Sequence, residues 1–120
     1  MKLYHYPKCS TCRKARKWLD ENGHEDQYEL IDLVEQTPSR DTIEAAWRAS
    51  GLDLKKFFNT SGQSYRALDL KNTYAGLDDD QRLDLLAADG KLVKRPLLVF
   101  NDGDGVLVGF KDTTWADALS

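Results

Sequence analysis

Two cysteines three positions apart are the residues of this chain with the clearest chemical potential. Cys9 and Cys12 stand in the stretch YPKCSTCRKARKW, between a proline and a run of cations. Such a pair can hold zinc, can be two inert thiols, or can exchange disulfides with another molecule. Zinc requires four ligands, and the other candidates are His5, on the first predicted strand, and His24, beyond the far end of the following helix, about 20 Å away.

The elements predicted around the cysteines favour disulfide exchange. Lys2–Tyr6 has the composition of a short strand, Ser10–Asn22 has the apolar spacing of a helix, and Gln27–Leu33 alternates like a second strand. A strand, a helix and a strand within about 30 residues form a βαβ unit, whose strands are parallel. A C-x-x-C pair in this context is typical of redox motifs.

The two cysteines occupy different positions in this unit. Cys9 is predicted at the strand-to-helix turn, where unpaired N–H groups and the helix dipole favour a thiolate. Lys8 and Arg13 add positive charge beside it. Cys12 is predicted one turn into the helix on its inward face, where burial raises a thiol pKa. This arrangement predicts Cys9 as the attacking thiol and Cys12 as the resolving thiol.

The rest of the chain completes one α/β domain of 120 residues. Residues 38–89 are predicted to be helical, and a hairpin follows, with strands Pro96–Phe100 and Val106–Phe110 joined by the turn Asn101–Gly105. Asp112 is predicted to cap a last short helix. The order of these elements predicts a mixed four-stranded sheet with a helical insertion between its two halves.

The composition narrows the classes of function. The net charge of -3 argues against direct nucleic-acid binding, because contact with phosphates requires a basic field. No apolar run approaches the roughly 20 residues that span a membrane, and the first strand does not have the pattern of a signal peptide. Two cysteines are too few for a secreted disulfide scaffold, so we expect a cytoplasmic protein.

A second element of interest is the dipeptide Arg95-Pro96 at the start of the predicted hairpin. A proline at a strand start can be an ordinary trans residue or a cis residue that shapes the site. The arginine before it carries five donors in a fixed planar group, which suits an oxyanion or a carboxylate. We therefore include Arg95 among the candidate anion-binding residues.

The stretches YPKCSTCRKARKWL, FFNTSG and LVKRPLLVF resemble the family of glutaredoxin-type arsenate reductases and Spx/MgsR regulators over nearly the whole chain. The resemblance implies a thioredoxin-like fold with a helical insertion and a cis Pro96 facing the cysteine turn. It also implies that Cys9 is the nucleophile and that Arg95 binds an oxyanion. Cys12 matches the second cysteine of the Spx branch.

The resemblance implies two functions. The first is a thiol-dependent oxidoreductase without a bound cofactor, which acts on a small anionic substrate or a thiol protein and is reset by glutathione with glutaredoxin, or by thioredoxin. The second is a redox-sensing regulator that binds the RNA polymerase α subunit. The reductases place a further arginine near the turn Asn59–Gly62, where this chain has none, and another in the hairpin region, where it has Lys111. Arg66 or Lys94 could replace part of that charge.

Overall fold

A four-stranded sheet forms the centre of the computed structural model, which describes residues 1–120. The strands are β1 (Lys2–His5), β2 (Glu29–Asp32), β3 (Leu97–Phe100) and β4 (Gly105–Val108), in the order β2-β1-β3-β4. β1 is parallel to β2 and antiparallel to β3, and β3 is antiparallel to β4. The predicted mixed sheet is confirmed.

Six α-helices surround the sheet, and four of them belong to the insertion. The helices are α1 (Ser10–Glu21), α2 (Arg40–Ser50), α3 (Gln63–Ala67), α4 (Leu70–Thr73), α5 (Asp79–Ala88) and α6 (Asp112–Leu119). α2 to α5 lie between β2 and β3 in the chain, as predicted, together with short 3-10 turns at 54–57, 74–76 and 90–92. No helix has the length and apolar character needed to cross a bilayer.

The strands divide the core into two layers because successive side chains point to opposite faces of a sheet. Leu3 and Leu98 pack with α1 and with Trp115 of α6 in the smaller cluster. Their neighbours Tyr4 and Leu97 join the larger cluster, which the insertion covers. All five side chains are buried. α1 is therefore fixed against one face of the sheet, with its first residue directly after the cysteine turn.

The end of the insertion pairs with its 3-10 turn at 54–57. The N–H of Asn59 donates to the carbonyl of Leu92 at 2.7 Å, and the N–H of Lys94 donates to the carbonyl of Phe57 at 2.8 Å. Phe58 and Val93, the residues between them, form an antiparallel bridge. This pairing places the residues before β3 beside the 3-10 turn. The Arg95-Pro96 peptide bond that follows is cis, as the resemblance implied.

Two local predictions are wrong at the C-terminal end. β4 ends at Val108 instead of Phe110, because Gly109 adopts a left-handed φ of 74° and donates its N–H to the carbonyl of Pro96 at 2.8 Å. The cap position of α6 is Lys111, whose side chain makes no capping bond. Asp112 is the first helical residue, and its carboxylate accepts from the N–H of Thr113 at 2.8 Å.

Candidate thiol site and its basic cleft

Cys9 lies in the turn that joins β1 to α1. Its N–H donates to the carbonyl of Tyr6 at 3.0 Å, and its own carbonyl accepts from Arg13 at 3.2 Å in the first turn of the helix. Cys9 is the N-cap of α1, with an extended φ of -89° and ψ of 117°. Its Sγ accepts from the N–H of Cys12 at 3.3 Å. The sulfur therefore faces the unpaired N–H groups of the helix start, as predicted.

The pKa of Cys9 lies below the ordinary value of a thiol, although burial alone would raise it. Hydrogen bonds from Cys12 and from the N–H of Thr11 favour the thiolate, and the positive charge of Arg95 adds to them. These contributions outweigh the cost of taking the half-buried sulfur partly out of water. Cys9 is therefore a thiolate at a lower pH than a free cysteine.

Cys12 has the opposite character. It is fully buried on the inward face of α1, together with Ala15 and Leu19, the other buried residues of this helix. Burial, and then the hydrogen bond with Cys9, raise the pKa of Cys12 to about 12. Both cysteines are free thiols in this structure. The difference in burial and acidity between the two positions agrees with the sequence prediction, while their chemical roles stay a prediction.

Arg95 is the cation that lowers the pKa of Cys9. Its Nη1 donates to the carbonyl of Lys91 at 3.0 Å, and its guanidinium lies 5.0 Å from the ring centre of Tyr6. These two contacts hold the half-buried side chain over the strand end that leads to the cysteine turn. The sequence placed Arg95 at an anion site, and the structure places it beside the thiol.

The other two predicted cations make different contacts. Lys8 is exposed and forms no ion pair. Arg13 donates from Nη1 to the carbonyl of Pro7 at 3.1 Å, which fastens the start of α1 to the end of the turn. Arg95 is the cation among the main causes that lower the pKa of Cys9, and the predicted contribution of Lys8 and Arg13 stays a prediction.

Replacing Arg95 by glutamine is expected to raise the pKa of Cys9, because the variant removes the nearby positive charge that favours the thiolate. The thiolate absorbance at 240 nm, followed during a pH titration of the Cys12→Ser background, would show a midpoint shifted to higher pH. Arg95→Lys keeps the charge and serves as the control, with a smaller shift. An unchanged midpoint in Arg95→Gln would contradict the assignment.

A cleft of about 420 Å³ opens beside the cysteine turn. Thr11, the residue before Cys12, and Arg95 form part of its wall. Four cations line the cleft in total, and no acidic side chain does: the cations are Lys56, Lys94, Arg95 and Lys111. Apolar side chains that include Leu107 and Phe110 complete the lining. The cleft therefore combines a basic rim with an apolar surface.

Gly109 shapes one wall of this cleft. Its carbonyl accepts from the indole Nε1 of Trp115 at 3.1 Å, while its N–H is bonded to Pro96. A Cβ added to Gly109 would lie 3.6 Å from Cε of Lys94. The Lys94 side chain therefore lies along Gly109. Through its two hydrogen bonds, Gly109 joins the end of β4 to α6 and to the start of β3.

The remaining candidate chemistry lies apart from the thiol site. A larger cavity of about 860 Å³ opens between the insertion and the other end of the strands, where Met1, Glu29 and Asp102 line it; neither this cavity nor the basic cleft is lined by Cys9 or Cys12. His5 is buried in β1, and His24 stacks on Trp18 with ring centres 6.1 Å apart. No group of three or more His, Cys, Asp or Glu side chains is arranged to hold a metal ion.

Of the four cations in the cleft, Lys56 is the one that the sequence does not indicate. Lys56 lies in the short helical piece before Asn59, where a lysine has no chemical signature, and the pairing of Phe57 with Lys94 brings it to the cleft. The sequence places Lys111 in the hairpin region, and the hydrogen bond between Gly109 and Pro96 sets its position. Arg66, the other suggested substitute, lines a separate cavity with Lys55 and Lys71.

The sheet, the insertion and the cysteine turn define an α/β protein of the thioredoxin-like class. Residues 4–118 match the model of the ArsC family, and the chain belongs to this family. Protein YusI of Bacillus subtilis is 54% identical over 110 residues, which cover 92% of this chain and 90% of YusI.

Solved structures of related proteins share the fold. An ArsC-family-related protein of Bacteroides fragilis superposes with a TM-score of 0.90 at 44% identity, over 98% of this chain and 95% of that chain. A protein of Streptococcus mutans, described as a possible arsenate reductase, superposes with a TM-score of 0.83 at 49% identity, over 92% of this chain and 90% of that chain. The regulatory protein MgsR of Bacillus subtilis is a more distant relative, 27% identical over 90% of this chain and 81% of MgsR.

Proposed function

We propose that this protein is a thiol-dependent oxidoreductase in which Cys9 is the nucleophile and Cys12 the resolving thiol. The observation that carries the proposal is the contrast between the two cysteines. Cys9 is half-buried, caps α1 and has a lowered pKa, whereas Cys12 is fully buried with a pKa of about 12. A thiolate attacks and a thiol does not, so Cys9 reacts in preference to Cys12.

The reaction proceeds in two exchanges. The Cys9 thiolate attacks one sulfur of a substrate disulfide, forms a mixed disulfide and releases the other half as a thiolate. Cys12 then loses its proton and attacks Cys9 Sγ, which forms the Cys9–Cys12 disulfide and releases the second half. The substrate gains two electrons and the protein loses two. An external thiol, such as glutathione with glutaredoxin, or thioredoxin, returns them, and no bound cofactor is required.

Arsenate is a weaker candidate substrate at this site. Tight binding of a tetrahedral oxyanion draws on bidentate charge-assisted contacts, which arginines supply. Arg95 is the only arginine in the cleft, and its Nη1 already donates a hydrogen bond to the carbonyl of Lys91. The turn Asn59–Gly62 contributes no cation to it.

A redox-sensing regulator is the second candidate, and similarity to MgsR is the observation that favours it. In that case the same Cys9–Cys12 disulfide would act as a switch that changes binding to a partner, for which the RNA polymerase α subunit is the candidate. The partner would contact the protein surface directly, with no role for DNA binding.

One experiment separates these functions. Reduced protein is incubated with a neutral disulfide, with an external reductant to sustain turnover, and in a parallel reaction with arsenate, glutathione and glutaredoxin. We expect turnover of the disulfide that Cys9→Ser abolishes, and little arsenite. In parallel, oxidised and reduced protein are used to capture the RNA polymerase α subunit. Capture that depends on the redox state, without turnover of either substrate, would overturn the enzyme in favour of the regulator.

A further inference from the structure

The larger cavity, of about 860 Å³, lies between α2 and the end of the sheet away from the cysteine turn. Lys2, the first residue of β1, lines this distal cavity, whereas the cysteine turn follows the last residue of the same strand. The volume is about twice that of the basic cleft and lies in the range of small-molecule sites. The proposed thiol chemistry makes no use of this space.

Small side chains of α2 leave the distal cavity open. Thr42, Ala45 and Ala46 line it. The larger side chains of the same helix, Ile43 and Trp47, pack into the main core instead. The helix therefore lies over this end of the sheet without filling the space beneath it.

Tyr4 supplies the first polar group. Its side chain lines the cavity and is only 5% exposed. Of the five tyrosines, Tyr28 alone bonds its hydroxyl to another residue, Asp20, so no group of the protein occupies the Tyr4 hydroxyl. Burial, and then the nearby carboxylate of Glu29, raise the pKa of Tyr4. The hydroxyl therefore stays neutral and can both donate to a ligand and accept from it.

Two unpaired opposite charges stand beside Tyr4. Lys2 of β1 and Glu29 of β2 are register partners on parallel strands, so their side chains point to the same face of the sheet. Both are exposed and line the cavity, and neither belongs to an ion pair. A molecule with an ammonium and a carboxylate on one carbon can bridge them, with its carboxylate on the lysine and its ammonium on the glutamate.

A third unpaired charge lies across the cavity. Asp102, in the loop after β3, lines the cavity and forms no ion pair. β1 lies between β2 and β3, so these two strands are about 10 Å apart. Val99 and Phe100 of β3 provide apolar wall on the way to Asp102. A ligand that reaches this carboxylate from Glu29 therefore needs methylene groups along its length and a cation at its end.

We propose that the distal cavity binds a free basic α-amino acid, lysine or arginine. Its carboxylate contacts Lys2, its α-ammonium contacts Glu29 and the Tyr4 hydroxyl, and its side-chain cation contacts Asp102. The cavity carries one positive and two negative charges, and a basic amino acid carries the opposite set, so every charge gains a partner. The inference goes beyond the proposed function and does not depend on it.

Calorimetric titration of the full-length reduced protein at low ionic strength compares L-lysine with two analogues that each lack one charged group. L-Norleucine lacks the side-chain ammonium, and cadaverine lacks the carboxylate. We expect L-lysine to bind at least about fivefold tighter than either, because each missing group leaves one charged side chain unpaired. Equal affinity for norleucine or for cadaverine would overturn the proposal, as would no binding of L-lysine at millimolar concentration.

Two variants of one loop locate the side-chain contact. Asp102→Asn is expected to lower the affinity for L-lysine about fivefold and to leave the affinity for L-norleucine unchanged. Asp104→Asn is the matched control, because Asp104 lies in the same loop, is exposed, carries the same charge and does not line the cavity. A similar loss in both variants would indicate an effect of net charge and overturn the proposal.

Two further variants test the carboxylate contact and the independence from the thiol site. Lys2→Gln is expected to weaken binding of L-lysine about fivefold and to leave cadaverine unaffected. An unchanged affinity of this variant for L-lysine would contradict the bridging of Lys2 and Glu29. Cys9→Ser is expected to bind L-lysine as the wild-type protein does, whatever its redox activity. A loss of binding in Cys9→Ser would assign the ligand to the thiol site and overturn the distal cavity.

Discussion

We expect iodoacetamide to alkylate Cys9 at least about 50-fold faster than Cys12 in the reduced protein at pH 7. With a pKa of about 12, about one Cys12 in 10⁵ is ionised at this pH, against about 3% of an ordinary thiol. The two ionised fractions therefore differ by about 3000-fold. The more basic Cys12 thiolate is also the stronger nucleophile, which offsets about 60-fold of this difference. The estimate is a lower limit with respect to access, because Cys12 is fully buried.

The two rates also differ in their response to pH. Alkylation of Cys9 rises with pH and reaches its plateau earlier than a free cysteine does, because its pKa is lowered. Alkylation of Cys12 continues to rise about tenfold per unit through pH 9, since its pKa lies far above that range. Quenched time courses analysed by peptide mass spectrometry measure both rates, with urea-unfolded protein as the control. Equal rates from pH 5 to 9 in the folded protein would remove the basis for assigning the roles.

We expect Gly90→Ala to lower the free energy of unfolding by about 3 kcal/mol, which corresponds to a Tm lower by about 10 °C or more. A Cβ at this position would overlap the carbonyl oxygen of Leu33 and lie 2.6 Å from its carbonyl carbon. Leu33 cannot move freely, because its N–H is bonded to His5 and its carbonyl accepts from Thr37 at 2.7 Å. The backbone itself would have to shift at the junction between β2 and the end of the insertion.

The matched control is Gly76→Ala, where an added Cβ meets no atom within 4 Å. We expect a change of at most about 0.5 kcal/mol there. Urea unfolding followed by tryptophan fluorescence measures both variants, with the m value showing whether the transition stays cooperative. A Gly90→Ala protein as stable as Gly76→Ala would show that the close contact with Leu33 is relieved without cost.

The local part of the site could be predicted from the sequence. The position of Cys9 depends on a turn and a helix start that are contiguous in the chain, and the burial of Cys12 follows from the spacing of apolar residues in α1. The family resemblance added the cis Pro96, which residue types alone left open. These features rest on interactions within about ten residues or on a recognised motif.

The cleft could not be predicted because its charges come from segments without a common local pattern. Lys56 and Lys94 meet through the backbone pairing of Phe57 with Lys94, and the position of Lys111 depends on the bond between Gly109 and Pro96. Arg95, more than eighty residues from Cys9 in the chain, is the cation among the main causes that lower the pKa of this thiol. The charge that acts on Cys9 comes from the end of a long insertion, so residues near Cys9 in the sequence do not identify it.

The distance along the chain between Cys9 and Arg95 has a consequence during protein synthesis. More than eighty residues separate them, and at about 5–20 residues per second the ribosome needs about 4–17 s to make that segment. Throughout this interval Cys9 lacks the cation that lowers its pKa. The nascent chain therefore carries a more ordinary thiol, and full acidity arises only after the C-terminal third has been translated and has joined the sheet.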